Sequence, residues 1–201
     1  MSSANLPSHM KINLESSVIL LVDDNHLSLD IMSSVFYGFG ARDRQTADNL
    51  DDARRILSTQ HVDLMVIDSG FPDEGTFQFM SWLRQEAPDP ICFTPTIMVT
   101  GYSTVSLVRR SRDCGAHFVI AKPLTAGVLL NRVAWIAHEK RPFVKNTIYS
   151  GPDRRWKNAG VPPGTEGRRI DDLPIEVGDA SEPNMSQDQL DDLIKPQKVA
   201  L

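Results

Sequence analysis

Short apolar runs alternate with helix-periodic segments from about residue 17 to residue 139. VILLV (18–22), VDLMVID (62–68), TPTIMVT (94–100) and HFVIA (117–121) are continuous apolar stretches of strand length. ARDRQTA (41–47) has strand length but is polar. Between them the apolar positions fall at helical spacing. Leu27, Ile31 and Val35 mark a first helix closed by Gly38 and Gly40, and Asp48 is placed to cap a second with Asp51 and Asp52 in its first turn. TFQFMSWLRQEA (76–87) predicts a third helix stopped by Pro88 and Pro90, STVSLVRRSRDCG (103–115) a fourth with a glycine stop, and residues 125–139 a fifth.

Five βα units in succession predict an α/β fold: a doubly wound parallel sheet covered by helices on both faces, with right-handed crossovers. Strands apolar throughout are what burial on both faces demands. The polar strand at 41–47 belongs at a sheet edge. Ligand sites of such sheets lie beyond the carboxyl ends of the strands, at the topological switch point.

Those ends carry a pattern. The first apolar strand runs into Asp23 and Asp24, the next ends in Asp68, the next in Thr100 followed by Gly101, and the last in Lys122 followed by Pro123. Two like charges a few ångströms apart repel by up to ~4 kcal/mol at an effective dielectric near 20, so adjacent aspartates at a buried strand's mouth call for a cation. Hard oxygen donors suit Mg²⁺, held by Asp23 and Asp24 from one strand and Asp68 from another. A carboxylate can attack phosphorus to give an acyl phosphate. Phosphoryl transfer then needs positioning and charge neutralisation, for which the Lys122 ammonium and the Thr100 hydroxyl are suited.

VILLVDDN, VIDSGFP, MVTG and AKPL together resemble the four signature stretches of the response-regulator receiver domain of bacterial two-component signalling. The resemblance covers about residues 17–139. It implies a flavodoxin-like (βα)₅ sheet of order 2-1-3-4-5. It also implies phosphorylation of Asp68 by a histidine kinase or phosphotransfer protein, and Mg²⁺ at Asp23, Asp24, Asp68 and the Gly70 carbonyl. Thr100 would turn toward the phosphoryl group, and the last two βα units would report the change. The chain departs from the pattern in two places. The loop SGFPDEG is one residue shorter between Asp68 and Gly75, and Val119 stands where an aromatic switch residue is expected. Gly70 and Tyr102 occupy the positions expected to tune dephosphorylation. Phe118 is read as core, His117 as a surface residue, and Trp135 as either exposed on the last helix or partly covered by the tail.

The chain has 201 residues, 41% of them apolar, and two cysteines, Cys92 and Cys114, without disulfide or metal spacing. No apolar run reaches the ~20 residues of a membrane span, and the N-terminal stretch has no apolar signal core, which points to a cytoplasmic protein. The net charge of −5 is unevenly spread: −4 over residues 1–140, +5 over 141–170 and −6 over 171–201. This divides the chain into an N-terminal arm (1–16), a receiver (17–140), a Pro/Gly/Arg-rich tail (141–185) without strand or helix period, and a short amphipathic helix (186–196).

In the tail, GPDRR (151–155) and GRR (167–169) are basic clusters whose DNA- or RNA-contacting role is the alternative to a linker or protein contact. SQDQLDDLIKP (186–196) opens with a capping box, Ser186 and Gln189, followed by Leu190, Leu193 and Ile194 on one stripe. SQDQLDDLI is similar to the receiver-docking peptide of the chemotaxis phosphatase, which implies docking on another receiver or on this chain's own. A flavin-binding reading is set aside, because DDNH after the first strand has the wrong charge for a phosphate cradle. About 60 tail residues rich in Pro and Gly do not make a usual core. The expectation is therefore a single-domain response regulator, not an enzyme beyond its own phosphotransfer and dephosphorylation. Its output would be by protein–protein contact in motility, chemotaxis or a phosphorelay.

Overall fold

The structure, a computed structural model, describes residues 12–138, 142–146, 149–153 and 185–194. The basic clusters from Arg154 onward lie outside the described residues, and of residues 191–194 only the backbone is described. Strands β1 (Val18–Val22), β2 (Asp43–Ala47), β3 (Leu64–Asp68), β4 (Thr96–Thr100) and β5 (Phe118–Ala121) form one parallel sheet in the order β2-β1-β3-β4-β5. Helices α1 (His26–Gly38), α2 (Leu50–Thr59), α3 (Gly75–Ser81), α4 (Val105–Asp113) and α5 (Ala126–His138) connect and follow them. The polar β2 is an edge strand, as its composition requires, while every residue of β3 and β4 is buried. Leu14 is buried in the same core as the strands, so the end of the expected N-terminal arm is packed. Among the described residues no helix is long and apolar enough to cross a membrane.

Two local readings change, and the exposure of Trp135, left open between two alternatives, is decided. The cap of α2 is Asn49, whose side chain accepts from the Asp52 N–H at 2.8 Å, and not Asp48, whose carboxylate instead accepts from the Asn49 amide. The third helix is α-helical only to Ser81, and Trp82–Glu86 continues as a π turn. That wider turn carries Arg84 into the interior, where it is 1% exposed. Trp135 is exposed on α5.

The largest departure lies after α5. Phe143–Lys145 and Ser150–Pro152 pair as an antiparallel hairpin, β6 and β7, where the sequence has no strand period. Asn146 closes it: its N–H donates to the Tyr149 carbonyl, and its side chain accepts from the Tyr149 N–H. The hairpin covers the amino-terminal ends of β4 and β5. Phe143 meets the Phe93 ring edge-on at 4.9 Å between centroids and lies near His117. His117 is therefore buried and not a surface residue, and its Nδ1 accepts from the Thr96 N–H at 3.2 Å.

Helix α6 (Gln187–Ile194) begins at the expected capping box. The Ser186 N–H donates to the Gln189 side chain at 2.9 Å, and the Gln189 N–H reaches the Ser186 hydroxyl at 3.4 Å. It packs against β5 and α4, with Leu190 fully buried.

Candidate functional site

The sheet register sets the site. Val22 pairs with Ile67, Asp68 with Val99, and Thr100 with Ala121. The residues just beyond or at these positions, Asp23, Asp68, Thr100 and Lys122, thus leave four adjacent strands on one rim. Asp23 is 1% exposed and Asp68 5%, whereas Asp24 faces solvent.

Each buried carboxylate is held at its root. The Asp23 N–H donates to the Ala47 carbonyl, and one Asp23 oxygen accepts from the Asn25 N–H at 2.9 Å. The Asp68 carbonyl accepts from the Thr76 hydroxyl at 2.9 Å, and Asp68 Oδ2 accepts from the Gly70 N–H at 2.5 Å. The free oxygens converge on one cation. Lys122 Nζ lies 3.1 Å from Asp23 Oδ2 and 2.7 Å from Asp68 Oδ1. Partial burial pulls the Lys122 pKa down, but the close contact and charge of Asp68 and then Asp23 more than reverse it, so the ammonium sits above the ordinary lysine value.

Two buried carboxylates against one ammonium leave a negative charge uncompensated, and Asp24 adds another at the mouth. Asp68 Oδ1 meets Lys122 as an ion pair and accepts no directed hydrogen bond among the described residues. A side chain at Gly70 would run into Asp68 Oδ2, its Cβ only 2.7 Å away, so the glycine keeps that oxygen accessible. The site fits a small hard dication. Among the described residues no three His, Cys, Asp or Glu side chains are gathered into a metal-holding cluster, and Asp24 is exposed where Asp23 and Asp68 are buried. Few protein ligands with retained waters is the manner of Mg²⁺.

Thr100 is buried, and its hydroxyl is engaged locally: it donates to the Tyr102 carbonyl at 2.8 Å and accepts from the Tyr102 N–H at 3.1 Å. Nothing lies within 4 Å of where a Gly101 side chain would begin, so the approach over this strand is open.

The sequence profile of the response regulator receiver domain matches residues 19–134. The chain belongs to this family. Response regulator protein PilR of Pseudomonas aeruginosa is 26% identical over 123 residues, which are 61% of this chain and 26% of that protein. The chain thus spans about a quarter of that relative's length. A signal receiver domain of a histidine kinase from Syntrophus aciditrophicus is 25% identical over 66% of this chain and 99% of its own, with a TM-score of 0.54. A response regulator from Thermotoga maritima shares the fold, with 24% identity, 61% and 98% coverage and a TM-score of 0.54.

In this receiver Asp23, Asp68 and Lys122 are brought together, Thr100 stands on the next strand, and Asp24 stays at the solvent edge. Two contacts were not anticipated. Glu74 and Arg110 join the loop after Asp68 to α4 through two hydrogen bonds. Gln187 places its side-chain amide on the outer edge of β5. The shortened loop was a signal for the first. The second had none, because an edge strand's free N–H and C=O groups are invisible in sequence.

Proposed function

We propose that this chain is a cytoplasmic response regulator that takes a phosphoryl group on Asp68 from a histidine kinase or a phosphotransfer protein and reports it by protein contact, in motility, chemotaxis or a phosphorelay. It is a signalling protein and not an enzyme acting on an external substrate. The observation that carries the reading is the shared ammonium: Lys122 Nζ between Asp23 and Asp68, at 3.1 and 2.7 Å, beside a carboxylate oxygen with no directed hydrogen bond.

In the step, an Asp68 carboxylate oxygen forms a bond to phosphorus as the donor's P–N or P–O bond breaks, and the donor leaves with that electron pair. Lys122 would follow the charge, neutralising a phosphoryl oxygen in place of the carboxylate oxygen it now meets. The Thr100 hydroxyl would exchange the Tyr102 carbonyl for a second phosphoryl oxygen. Asp23, Asp24, Asp68 and the Gly70 carbonyl would hold Mg²⁺, which when bound neutralises phosphoryl charge. Reversal by water returns inorganic phosphate and the carboxylate.

Incubation with acetyl phosphate and Mg²⁺, followed by peptide mass mapping, tests this. The expected result is one phosphoryl increment on the peptide containing Asp68, absent in Asp68→Asn and without Mg²⁺. An unmodified wild-type chain under saturating donor overturns the reading.

A further inference from the structure

The outer edge of β5 is occupied by the chain's own terminal segment. Val119 and Ala121 point a carbonyl and an N–H away from the sheet. Gln187 meets both with one side-chain amide: its oxygen accepts from the Ala121 N–H at 2.9 Å, and its nitrogen donates to the Val119 carbonyl at 3.4 Å. One residue thus replaces the neighbouring strand that an edge otherwise solicits. Leu190, fully buried, inserts into the core cluster, and Met185 packs against it.

A second contact ties this segment to the site. The Ser103 carbonyl accepts from the Met185 N–H at 2.8 Å, and the Ser103 hydroxyl donates to the Met185 carbonyl at 2.6 Å. Ser103 follows directly on Tyr102, whose backbone is folded onto the Thr100 hydroxyl. A hydroxyl has one proton to give. As the structure stands, Thr100 gives it to the Tyr102 carbonyl, which holds the 100–103 turn in the shape that receives Met185. A phosphoryl oxygen on Asp68, one strand away, claims the same proton.

We infer that residues 185–194 are an internal ligand of the β5–α4 edge, and that phosphorylation of Asp68 releases them by withdrawing the Thr100 proton from the turn that bears Ser103. The inference rests on the phosphoacceptor reading of Asp68. Linkage is reciprocal: a docked segment disfavours phosphorylation by the factor by which phosphorylation disfavours docking. The β5–α4 edge is then available to an outside partner only in the phosphorylated protein, and such a partner must itself satisfy Val119 and Ala121.

The full chain tests this with acetyl phosphate as donor, its P–O bond breaking as the Asp68 O–P bond forms and acetate leaves. The probe is hydrogen exchange at the Ala121 amide, together with residues 185–194. Under saturating acetyl phosphate and Mg²⁺, exchange at Ala121 should accelerate by about fivefold or more, and Gln187→Ala and Leu190→Asp should each raise the rate of Asp68 modification by a similar factor. If Asp68 is modified while Ala121 exchange and both variants' rates match the untreated and parent values, the inference falls and the phosphoacceptor reading stands. If no chain is modified, the phosphoacceptor reading falls. If Ala121 protection rises with protein concentration alongside a dimer in sedimentation, the segment docks on a second copy and the internal contact is refuted.

Discussion

Glu74, on the loop leaving Asp68, grips Arg110 of α4 with both oxygens, at 2.7 and 2.6 Å, while the guanidinium lies 4.0 Å from the centre of the Phe77 ring. The clamp is reached at a conformational cost. Asp73 and Glu74 both have left-handed backbones, with φ of 53° and 58°, and neither is glycine. Such residues cost on the order of 1 kcal/mol each or more. These two residues complete the turn between Asp68 and α3, and the second directs its carboxylate at α4. The loop after Asp68 and α4 are thereby joined.

The clamp predicts a pH response. Hydrogen bonding and then charge from Arg110 hold the Glu74 carboxyl below the ordinary glutamate value. A depressed acid contributes stability that is present above its unfolded pKa, near 4.3, and is lost as pH falls through the folded one. The Glu74 carboxyl resonance should therefore titrate below ~4.3 in the parent protein and return to that value in Arg110→Ala. An identical midpoint in the two proteins refutes the clamp.

Lys122 has the opposite sign. Its raised pKa means that the stability it supplies is complete below the ordinary lysine value of ~10.4 and fades as pH climbs through the higher folded value. Lys122→Met leaves Asp23 and Asp68 buried and facing each other. Removing one member of a dry ion pair costs ~3–5 kcal/mol. The Lys122 side chain is 37% exposed and so partly screened, which reduces the expected loss to about 1–2 kcal/mol in urea unfolding without Mg²⁺. Mg²⁺ should raise the Tm of Lys122→Met more than that of the parent, because the dication then replaces the missing charge. Equal Mg²⁺ shifts in the two proteins count against a cation site between the carboxylates.

The sheet and its acidic rim were legible because each strand carried its own signal. Uninterrupted apolar runs marked β1, β3, β4 and β5 as buried on both faces, polarity marked β2 as an edge, and polar residues at the carboxyl ends marked the rim, while nothing marked β5 as the other edge. The other end of the sheet was not legible. The segment 76–87 reads as one regular helix, yet it widens into a π turn over Trp82–Glu86, where Arg84 is buried. Strands β6 and β7 have three residues each, too few to display a period. Once the hairpin is in place, the burial of His117 follows. The terminal helix was readable from its capping box, but its place on β5 was not, since Gln187 bonds to backbone groups that carry no sequence identity.

Arg84 should be the most sensitive residue of the lower core. It donates to the carbonyls of Gly115, Cys92 and Thr94 and to the Thr96 hydroxyl, at 2.7 to 3.1 Å, and its guanidinium lies over the Phe143 ring. Burial pushes its pKa down to about 10, so it remains charged at neutral pH, without a carboxylate among these partners. Arg84→Met strands several buried acceptors, each worth ~1–3 kcal/mol, and should lower unfolding stability by about 3–5 kcal/mol. Arg84→Lys should recover little, because an ammonium cannot span the fork. A loss under about 1 kcal/mol in either variant contradicts the assigned role.

Gly115 decides whether the hairpin can dock. It ends α4 with a left-handed φ of 87°, its N–H donating to the Arg112 carbonyl, a conformation that only glycine adopts without strain. A Cβ there would also strike the Ser150 carbonyl and crowd the Arg84 side chain, which lies 3.0 Å from that position. Facing it, a Cβ on Gly151 would come within 2.7 Å of the Gly115 Cα, so the two backbones cross where neither residue carries a side chain. Gly115→Ala carries both penalties, about 1 kcal/mol from the backbone and more from the displaced hairpin, for an expected total of about 2–3 kcal/mol. Gly151→Ala carries only the steric one. Both should expose the Asn146 and Asp153 amides, which donate to Tyr149 and Pro142, to faster hydrogen exchange. Gly38→Ala is the control: it lies at the end of α1 with nothing within 4 Å of its Cβ position, and should be neutral or stabilising by up to ~1 kcal/mol. Should Gly115→Ala match Gly38→Ala in stability and leave both amides protected, the hairpin does not seat on this glycine.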